Sequence, residues 1–207
     1  MQKPNIKLIQ NSKGSNQALV YCNGYTMKHK NNSQLWCHYL RKAHWNGAIY
    51  QLWWDSGSSL GRKYAMSPLG NIPMFNEVAH AYPHWKMVVK RAKIVGLKYF
   101  SYLLSKITET EISLVGYSLG CRIIHYGMTK LNPKISSKSL ANIILLAGAI
   151  RTIKWEDSAR KINGNIYNLY NQKDYTLNYL FTLLGLYNYQ PCGIHPIISR
   201  HPRINNI

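Results

Sequence analysis

The residue with the clearest chemical potential is a serine between two glycines. The pentapeptide Gly116-Tyr117-Ser118-Leu119-Gly120 follows a segment that predicts a strand, Glu111–Val115, and precedes one that predicts a helix, Leu119–Leu131. A strand that turns directly into a helix holds the serine hydroxyl at the tip of the bend, and the helix start directs free N–H groups toward it. We therefore predict that Ser118 is a nucleophile and that the N–H of Leu119 stabilises an oxyanion.

A serine nucleophile needs a base, and the base needs an acid that orients it. The acids downstream of Ser118 are Glu156, Asp157 and Asp174. The first two lie in a polar stretch that predicts the start of a solvated helix. Asp174 follows the predicted strand Asn165–Tyr170, at the edge of the sheet where open α/β sheets place their sites. We predict that Asp174 is the acid, with capping of the loop as the alternative.

The base is the least determined of the three groups. His125 lies seven residues beyond Ser118 on the same predicted helix, which is too far along to reach back to the hydroxyl. His195 and His201 both follow Asp174 in the sequence. Because Ile194–Ser199 is predicted to be the last strand, His201 falls in the loop after it. We take His201 as the candidate base and keep His195 as the second choice.

The second oxyanion donor is expected in the loop that follows the first predicted strand. This loop is Asn23-Gly24-Tyr25-Thr26, and its glycine suits a backbone that must approach a substrate closely. The N–H of Tyr25 is the predicted donor.

A metal site is the competing interpretation of another cluster. Glu77, His80 and His84 have helical spacing, which would place three ligands on one face. Pro83 is expected to interrupt that helix, and the order differs from the H-E-x-x-H pattern of zinc peptidases. We therefore expect no metal and no cofactor.

The elements that must position these residues alternate along the chain. Further strands are predicted at Gln17–Tyr21, Ala48–Trp54 and Leu140–Leu146, and further helices near Leu35–Leu40, over Pro83–Ile107 and over Thr176–Leu184. This alternation predicts an α/β fold, a mostly parallel sheet with helices on both faces.

We expect one domain over residues 1–207, with about 16 disordered N-terminal residues. Residues 56–75 are expected to form an irregular excursion near the site.

Composition narrows the class of protein. The chain has 207 residues, of which 46% are hydrophobic, and no apolar run reaches the length of a membrane span. The first residues lack the apolar core of a secretion signal, and the four cysteines are widely spaced. These features predict a cytoplasmic protein with reduced thiols. Its 26 Lys and Arg against 7 acids give a net charge of +19, which attracts phosphate-rich partners.

Several segments resemble one family. LVGYSLGCRIIHY (114–126), LANIILLAGA (140–149), the stretch from Trp155 to Leu180, and GIHP (193–196) are similar to the little-characterised α/β-hydrolase family that includes the transmembrane and coiled-coil domain proteins. The early stretches ALVYCNGY and AIYQLWWDS are similar too. The resemblance implies an α/β-hydrolase-like fold, an esterase-like or lipase-like activity, Ser118 as nucleophile and Asp174 as acid. The family's membrane-spanning part has no counterpart in this sequence.

The sequence departs from that family at its end. In the family, a strand similar to Arg203–Ile207 leads to a Gly-His pair that bears the catalytic histidine. Three interpretations stay open: the sequence is a fragment, His201 substitutes, or the protein is a hydrolase-fold relic without its base. The resemblance also implies a structural role for the position of His195.

The leading hypothesis is a serine hydrolase that cleaves a carboxylic ester through an acyl-enzyme on Ser118. Its substrate would be a small-molecule or lipid ester, and the positive charge makes an anionic membrane surface a candidate partner. Specific nucleic-acid binding is not expected, because no recognition motif accompanies the charge. The alternative is a catalytically inactive binding module with the same fold.

Overall fold

The structure, a computed structural model, is built around one sheet. It describes residues 2–25, 27, 33–57, 75–131, 138–175, 177–178, 181 and 189–207, without the side chains of 33 and 75–82. The strands are β1 (Asn5–Gln10), β2 (Gln17–Cys22), β3 (Ala48–Trp53), β4 (Glu111–Tyr117), β5 (Ser139–Leu146), β6 (Ile166–Leu169) and β7 (Ile204–Asn206). They follow the order β1-β3-β2-β4-β5-β6-β7.

Six of the strands run in one direction. The pairs β2–β3, β2–β4, β4–β5, β5–β6 and β6–β7 are parallel, and only β1 on β3 is antiparallel. The carboxyl ends of β2 to β7 therefore meet at one edge of the sheet, which we call the carboxyl edge. Polar groups that follow these strands in the sequence are brought together there.

Helices cover both faces, as predicted. They are α1 (Ser33–Lys42), α2 (Phe75–Ile94), a π-helical turn (Val95–Tyr99), α3 (Phe100–Ser105), α4 (Leu119–Lys130) and α5 (Glu156–Arg160). On one face, Val88 of α2, Phe100 of α3 and Ile123 of α4 belong to the larger apolar core. On the other face, Trp36 and Cys37 of α1 pack with Tyr21 and Val115. The mostly parallel α/β architecture predicted from the sequence is confirmed.

The expectation of a disordered N-terminus is wrong for residues 5–10. These form β1, whose backbone pairs with β3 from Asn5 opposite Trp53 to Gln10 opposite Ile49. Most side chains of this edge strand are exposed or half-buried. An edge strand held mainly by backbone hydrogen bonds leaves little hydrophobic pattern in the sequence. Most of the predicted excursion over 56–75 lies outside the described residues.

Two further predictions about elements differ from the structure. The segment Ile194–Ser199 is not a strand, because its N–H groups are bound elsewhere: Ile197 donates to Oδ1 of Asn206 (2.7 Å) and Ile198 to the carbonyl of Thr152 (3.0 Å). The last strand is β7 instead. Helix α2 continues through Pro83, since buried side chains such as Trp85 and Val88 hold its later turns on the core. The predicted helix over 176–184 lies largely outside the described residues.

His125 is a buried residue of α4 rather than a member of the site. Its side chain is only 7% exposed, and its ring meets the indole of Trp155 at 4.8 Å between centroids. Burial, reinforced by the charges of Arg122 and Lys154, lowers the pKa of His125 to about 4. The folded protein therefore keeps this imidazole neutral at pH values where the unfolded chain protonates it.

This difference predicts a loss of stability in acid. Above the unfolded pKa of about 6.5, His125 is neutral in both states and costs the folded protein nothing. As the pH falls from 6.5 to 4, the unfolded chain takes up the proton first, and the free energy of unfolding falls by about 3 kcal/mol. We expect His125→Phe to flatten the fall in unfolding free energy between pH 6.5 and 4, measured by urea denaturation. The exposed His38→Gln is the matched control and should keep the wild-type slope. Parallel pH profiles for wild type and His125→Phe would contradict this account.

Candidate active site

Ser118 occupies a backbone conformation that few residues adopt. Its φ of 53° and ψ of −116° lie between the last residue of β4 and the first of α4. Its N–H donates to the carbonyl of Leu146 (2.9 Å), and its own carbonyl accepts from the N–H of Ala149 (3.1 Å) and of Cys121 (3.2 Å). These bonds fasten the bend to the end of β5. Such conformations cost about 1–3 kcal/mol and persist where surrounding structure enforces them.

Close backbone packing explains two glycines around this serine. A Cβ on Gly120 would overlap the carbonyl group of Cys22 at the end of β2. A Cβ on Gly24 would lie 2.9 Å from the Cβ of Ser118 and 3.1 Å from the Tyr117 ring. The start of α4 is thereby held against β2, and the loop after β2 passes directly beside Ser118. This backbone arrangement resembles the nucleophile elbow of α/β-hydrolases, while the role of Ser118 as a nucleophile stays a prediction.

Two backbone N–H groups lie beside the serine. Leu119 is the first residue of α4, so its N–H has no acceptor within the helix. Tyr25 directly follows Gly24 in the loop that touches Ser118. Within the described part of the chain, no residue accepts a hydrogen bond from either N–H. Both groups are thus available as donors, while their role as an oxyanion hole stays a prediction.

The side chain of Tyr25 forms a contact that the sequence analysis missed. Its hydroxyl is hydrogen-bonded to Nδ1 of His84 at 2.6 Å, and burial raises the pKa of Tyr25 to about 12. The pKa of His84 is lowered, first by burial and then by Arg91, against the opposing charge of Asp55. Arg91 itself pairs with Asp55 at 3.1 Å. Tyr25 and His84 are 59 residues apart and belong to no common motif, so no sequence signal could have joined them.

The hydrogen bond to Tyr25 also bears on the metal interpretation. It occupies Nδ1 of His84, while the side chains of Glu77 and His80 lie outside the described residues. No group of three His, Cys, Asp or Glu side chains suited to a metal is found among the residues the structure describes.

Asp174 lies at the carboxyl edge, in the loop after β6. Leu169 ends that strand in register with Leu146 and Tyr117, so Asp174 and Ser118 share an edge two strand spacings apart. The Asp174 carboxylate is half-buried, and its Oδ1 accepts from the N–H of Leu177 (2.9 Å). This bond is the capping role named as the alternative in the sequence analysis. Among the residues that the structure describes, none forms a hydrogen bond with Oδ2.

His201 is in the wrong place to serve Ser118. It precedes β7, and Ile204 of that strand is in register with Ile166 and, through β5, with Leu114. Ser118 lies four residues beyond Leu114, about 13 Å along the strand and about 14 Å across from β7. The expectation of His201 as base was wrong because it assumed that the strand precedes this histidine, whereas the strand follows it. Nδ1 of His201 instead accepts from the N–H of Arg203 (3.3 Å).

His195 lies on a segment that crosses the carboxyl edge. The N–H of Gly193 donates to the carbonyl of Gly148 after β5, and its carbonyl accepts from the N–H of Asn171 after β6 (2.9 Å each). The carbonyl of His195 accepts from Nδ2 of Asn168 (3.3 Å). Across the described ranges, no imidazole is hydrogen-bonded to the Ser118 hydroxyl or the Asp174 carboxylate.

Comparison with known proteins identifies the family. Residues 77–207 match the family described as "Protein of unknown function (DUF726)". The chain belongs to this family. It is 27% identical over 123 residues to the uncharacterized membrane protein F35D11.3 of Caenorhabditis elegans, covering 58% of this chain and 20% of that protein. It is 26% identical over 101 residues to the transmembrane and coiled-coil domain-containing protein STS1 of Oryza sativa subsp. japonica, covering 47% and 15%.

The chain thus spans a fifth or less of the length of these relatives. Among solved structures, it is similar to the dienelactone hydrolase-like promiscuous phosphotriesterase P91 from metagenomic libraries (TM-score 0.45, 7% identity, 100% of this chain and 82% of that one). It is also similar to a lipase-esterase related protein from Clostridium acetobutylicum (TM-score 0.42, 10% identity, 99% and 89%). None of the helices that the structure describes is both long and apolar enough to cross a membrane.

The strained backbone at residue 118 predicts an unusual response to glycine. Ser118→Gly should relieve the positive φ, which outweighs the extra freedom that glycine has in the unfolded chain, while Ser118→Ala keeps the strain. We expect Ser118→Gly to exceed Ser118→Ala in unfolding free energy by about 1 kcal/mol in urea titrations. If the glycine variant is the less stable of the two, residue 118 does not carry this strain.

Proposed function

We propose that this chain is a serine hydrolase that cleaves a carboxylic ester through an acyl-enzyme on Ser118. The observation that carries the proposal is the backbone of Ser118, with φ 53° and ψ −116° at the bend from β4 into α4. A bend of this kind holds a hydroxyl out from the sheet edge while the helix start directs N–H groups at the same point. Strain of this size at a half-buried polar residue is typical of functional positions.

The hydroxyl and the N–H groups at Ser118 suit the attack on an ester and the stabilisation of its oxyanion, and the proposal adds a histidine base from the carboxyl edge. Oγ of Ser118 attacks the acyl carbon while a base takes the hydroxyl proton. The carbonyl oxygen becomes an oxyanion, which the N–H groups of Leu119 and Tyr25 stabilise. The tetrahedral intermediate collapses, the C–O bond to the alcohol breaks, and the alcohol leaves with the proton. Water then attacks the acyl-enzyme, the base again takes its proton, and the acid product leaves as Ser118 regains its hydrogen.

Asp174 is proposed as the acid that orients the base. Its position at the carboxyl edge supports this role, as does Oδ2, which has no hydrogen-bond partner in the described part of the chain. The hydrogen bonds from Asp174 N–H to the Asn171 carbonyl and from Asn171 N–H to the Gly193 carbonyl (2.9 Å each) hold its loop against the segment that crosses the edge. A capping bond at Oδ1 also fixes the carboxylate, so that capping and catalysis are compatible in one side chain.

The base must come from the carboxyl edge, which limits the histidines to be tested. His84 lies at this edge. It is hydrogen-bonded to Tyr25 in the loop after β2, and its ring lies close to Gly57 in the loop after β3. His195 lies there on the crossing segment. Replacing each by glutamine separates them, because only loss of the base should suppress acylation of Ser118.

A second function, an inactive hydrolase-fold binding module, is favoured by one observation. In the described part of the chain, no imidazole is hydrogen-bonded to Ser118 or Asp174. In such a protein the bend at Ser118 and the carboxyl edge around it would bind a ligand without cleaving it.

Charge and thiols support the proposed substrate class and location. A net charge of +19 supports an anionic lipid ester or an anionic membrane surface as the partner. All four cysteines are buried and free, which supports the proposed cytoplasmic, reducing location.

Labelling with a fluorophosphonate tests the proposal. We expect wild type to be labelled at Ser118 and Ser118→Ala to stay unlabelled, with the exposed Ser105→Ala as the control that keeps wild-type labelling. Asp174→Asn separates the two roles of the carboxylate, because the asparagine side chain can still accept the hydrogen bond from Leu177 N–H but cannot orient a protonated base. It should slow labelling on the order of 10³-fold or more at unchanged thermal stability.

Two results would contradict the enzyme. Folded wild-type protein that takes no label would favour the binding module. An Asp174→Asn variant that is labelled at the wild-type rate would limit Asp174 to capping.

A further inference from the structure

A broad cleft opens on the face of the sheet covered by α4. It has a volume of about 1140 Å³ and lies among α4, the π-helical turn, the loop after β5 and residues 189–198. Its lining includes Arg122, His125 and Tyr126 of α4, one to two turns beyond Ser118, but not Ser118 itself. The cleft is therefore separate from the candidate active site.

Positive charge dominates this cleft. Lys93, Arg122, Arg151 and Lys154 line it, against the two acids Glu156 and Asp157. Both acids already pair with Arg160, Asp157 at 3.0 Å and Glu156 at 3.9 Å. Considering the residues that the structure describes, none of the four cations forms an ion pair with a carboxylate. Four like charges around one cavity favour the binding of an anion.

Basic residues at the other end of the strands, which we call the amino edge of the sheet, form hydrogen bonds within the fold. A smaller cavity of about 480 Å³ there is also lined by Lys138, Lys161 and Arg203. Lys138 donates to the carbonyl of Ser105 (3.0 Å), Lys161 to that of Met128 (2.6 Å), and Arg203 to that of Ile162. These cations satisfy carbonyls near helix ends, where positive charge is stabilising. Their structural role gives no reason to expect a ligand at that edge.

In the cleft, contacts with tyrosines position three of the cations, and among the described residues none of the three binds a carboxylate or a backbone carbonyl. The Arg122 guanidinium donates to the hydroxyl of Tyr189 (2.9 Å) and lies 5.3 Å from the ring centre of Tyr126. Nζ of Lys93 lies 5.2 Å from the Tyr126 ring, and the Arg151 guanidinium 4.9 Å from the Tyr189 ring. Such cation–π contacts fix the charges while leaving N–H donors for another partner.

Two buried nitrogen atoms at the cleft also lack partners. Nε of Arg122 and Nδ1 of His125 have no hydrogen-bond partner in the described residues, although both are shielded from solvent. Buried polar atoms without partners are uncommon and often mark a binding site. The His125 side chain, 7% exposed, forms part of the lining beside Arg122.

We propose that this cleft binds a phosphate group, carried either by a soluble molecule or by a lipid headgroup. A phosphate monoester carries nearly two negative charges and several acceptor oxygens, which suits a site with two arginines and two lysines. The exposed side chains of Ile153 (41%) and Ile198 (62%) border the cleft. Apolar side chains beside a basic cleft fit a headgroup at a membrane surface, so the experiment includes both sources. The proposal does not depend on hydrolase activity.

The test compares a cleft variant with a charge-matched control. Arg151→Gln with Lys154→Gln removes two exposed cations of the cleft. Arg41→Gln with Lys42→Gln removes the same charge from exposed positions of α1, on the other face of the sheet. Binding of inorganic phosphate is measured by calorimetry. Binding to phosphatidylcholine vesicles is measured by co-sedimentation, with phosphatidylinositol 4-phosphate or with phosphatidylserine at equal total charge.

We expect the cleft variant to weaken binding about tenfold or more, and the control to change it by less than about twofold. Saturable binding of inorganic phosphate supports a soluble source. Preference for the phosphoinositide vesicles, with weak binding of the free ion, supports a headgroup. Arg122→Gln should weaken whichever probe binds, which covers the case in which the double variant fails to fold.

The proposal is overturned if neither probe binds saturably. It is also overturned if both double variants weaken binding equally, since the general positive field would then suffice. Equal binding to the phosphatidylserine and phosphoinositide vesicles, without binding of inorganic phosphate, would also overturn the proposal, because it requires only the general positive field.

Discussion

The bend at Ser118 depends on contacts from both neighbouring strands. From β5, the Leu146 carbonyl and the Ala149 N–H bind the backbone of Ser118. From β2, the Cys22 carbonyl packs against Gly120, and Gly24 packs against Ser118 itself. The parallel order β2-β4-β5 supplies both sets of contacts, because it brings the ends of these strands to one edge. The positive φ of Ser118 is therefore enforced by the sheet rather than by the local sequence.

The basic side chains on two sides of the sheet also differ in what they contact. At the amino edge of the sheet, lysine and arginine side chains cap carbonyls near helix ends, and their charges are used within the fold. On the α4 face, Lys93 and Arg151 lie over tyrosine rings, and neither forms an ion pair with a carboxylate among the described residues. A net charge alone does not distinguish these two situations. The contacts of each cation make the distinction. They are the reason why we propose a ligand for the cleft beside α4 and none for the cavity at the amino edge.

Much of the fold could be predicted because hydrophobic pattern reflects burial. Strands β2 and β4 are buried on both faces, and β5 is buried on one face and half-buried on the other; all three contain long apolar runs in the sequence. β1 could not be predicted, since it is an exposed edge strand. Ser118 was identified because the glycines that its surroundings require, such as Gly120 against Cys22, lie beside it in the sequence and form a recognisable pattern.

The partners of Ser118 were harder to predict because they depend on long-range geometry. The sequence placed Asp174 after the correct strand but could not show that Oδ1 also caps the following turn. His201 was assigned to the wrong edge, since three-residue β7 is too short to leave a pattern. The Tyr25–His84 contact joins a loop to a helix 59 residues away and has no local signature.

A crystal structure of the protein after reaction with a phosphonate ester tests the central claim most directly. We expect phosphorus bonded to Oγ of Ser118, a φ near 53° at that residue, and the phosphoryl oxygen within hydrogen-bond distance of the N–H groups of Leu119 and Tyr25. A residue 118 in ordinary helical or extended conformation, or a phosphoryl oxygen directed away from both N–H groups, would contradict the account.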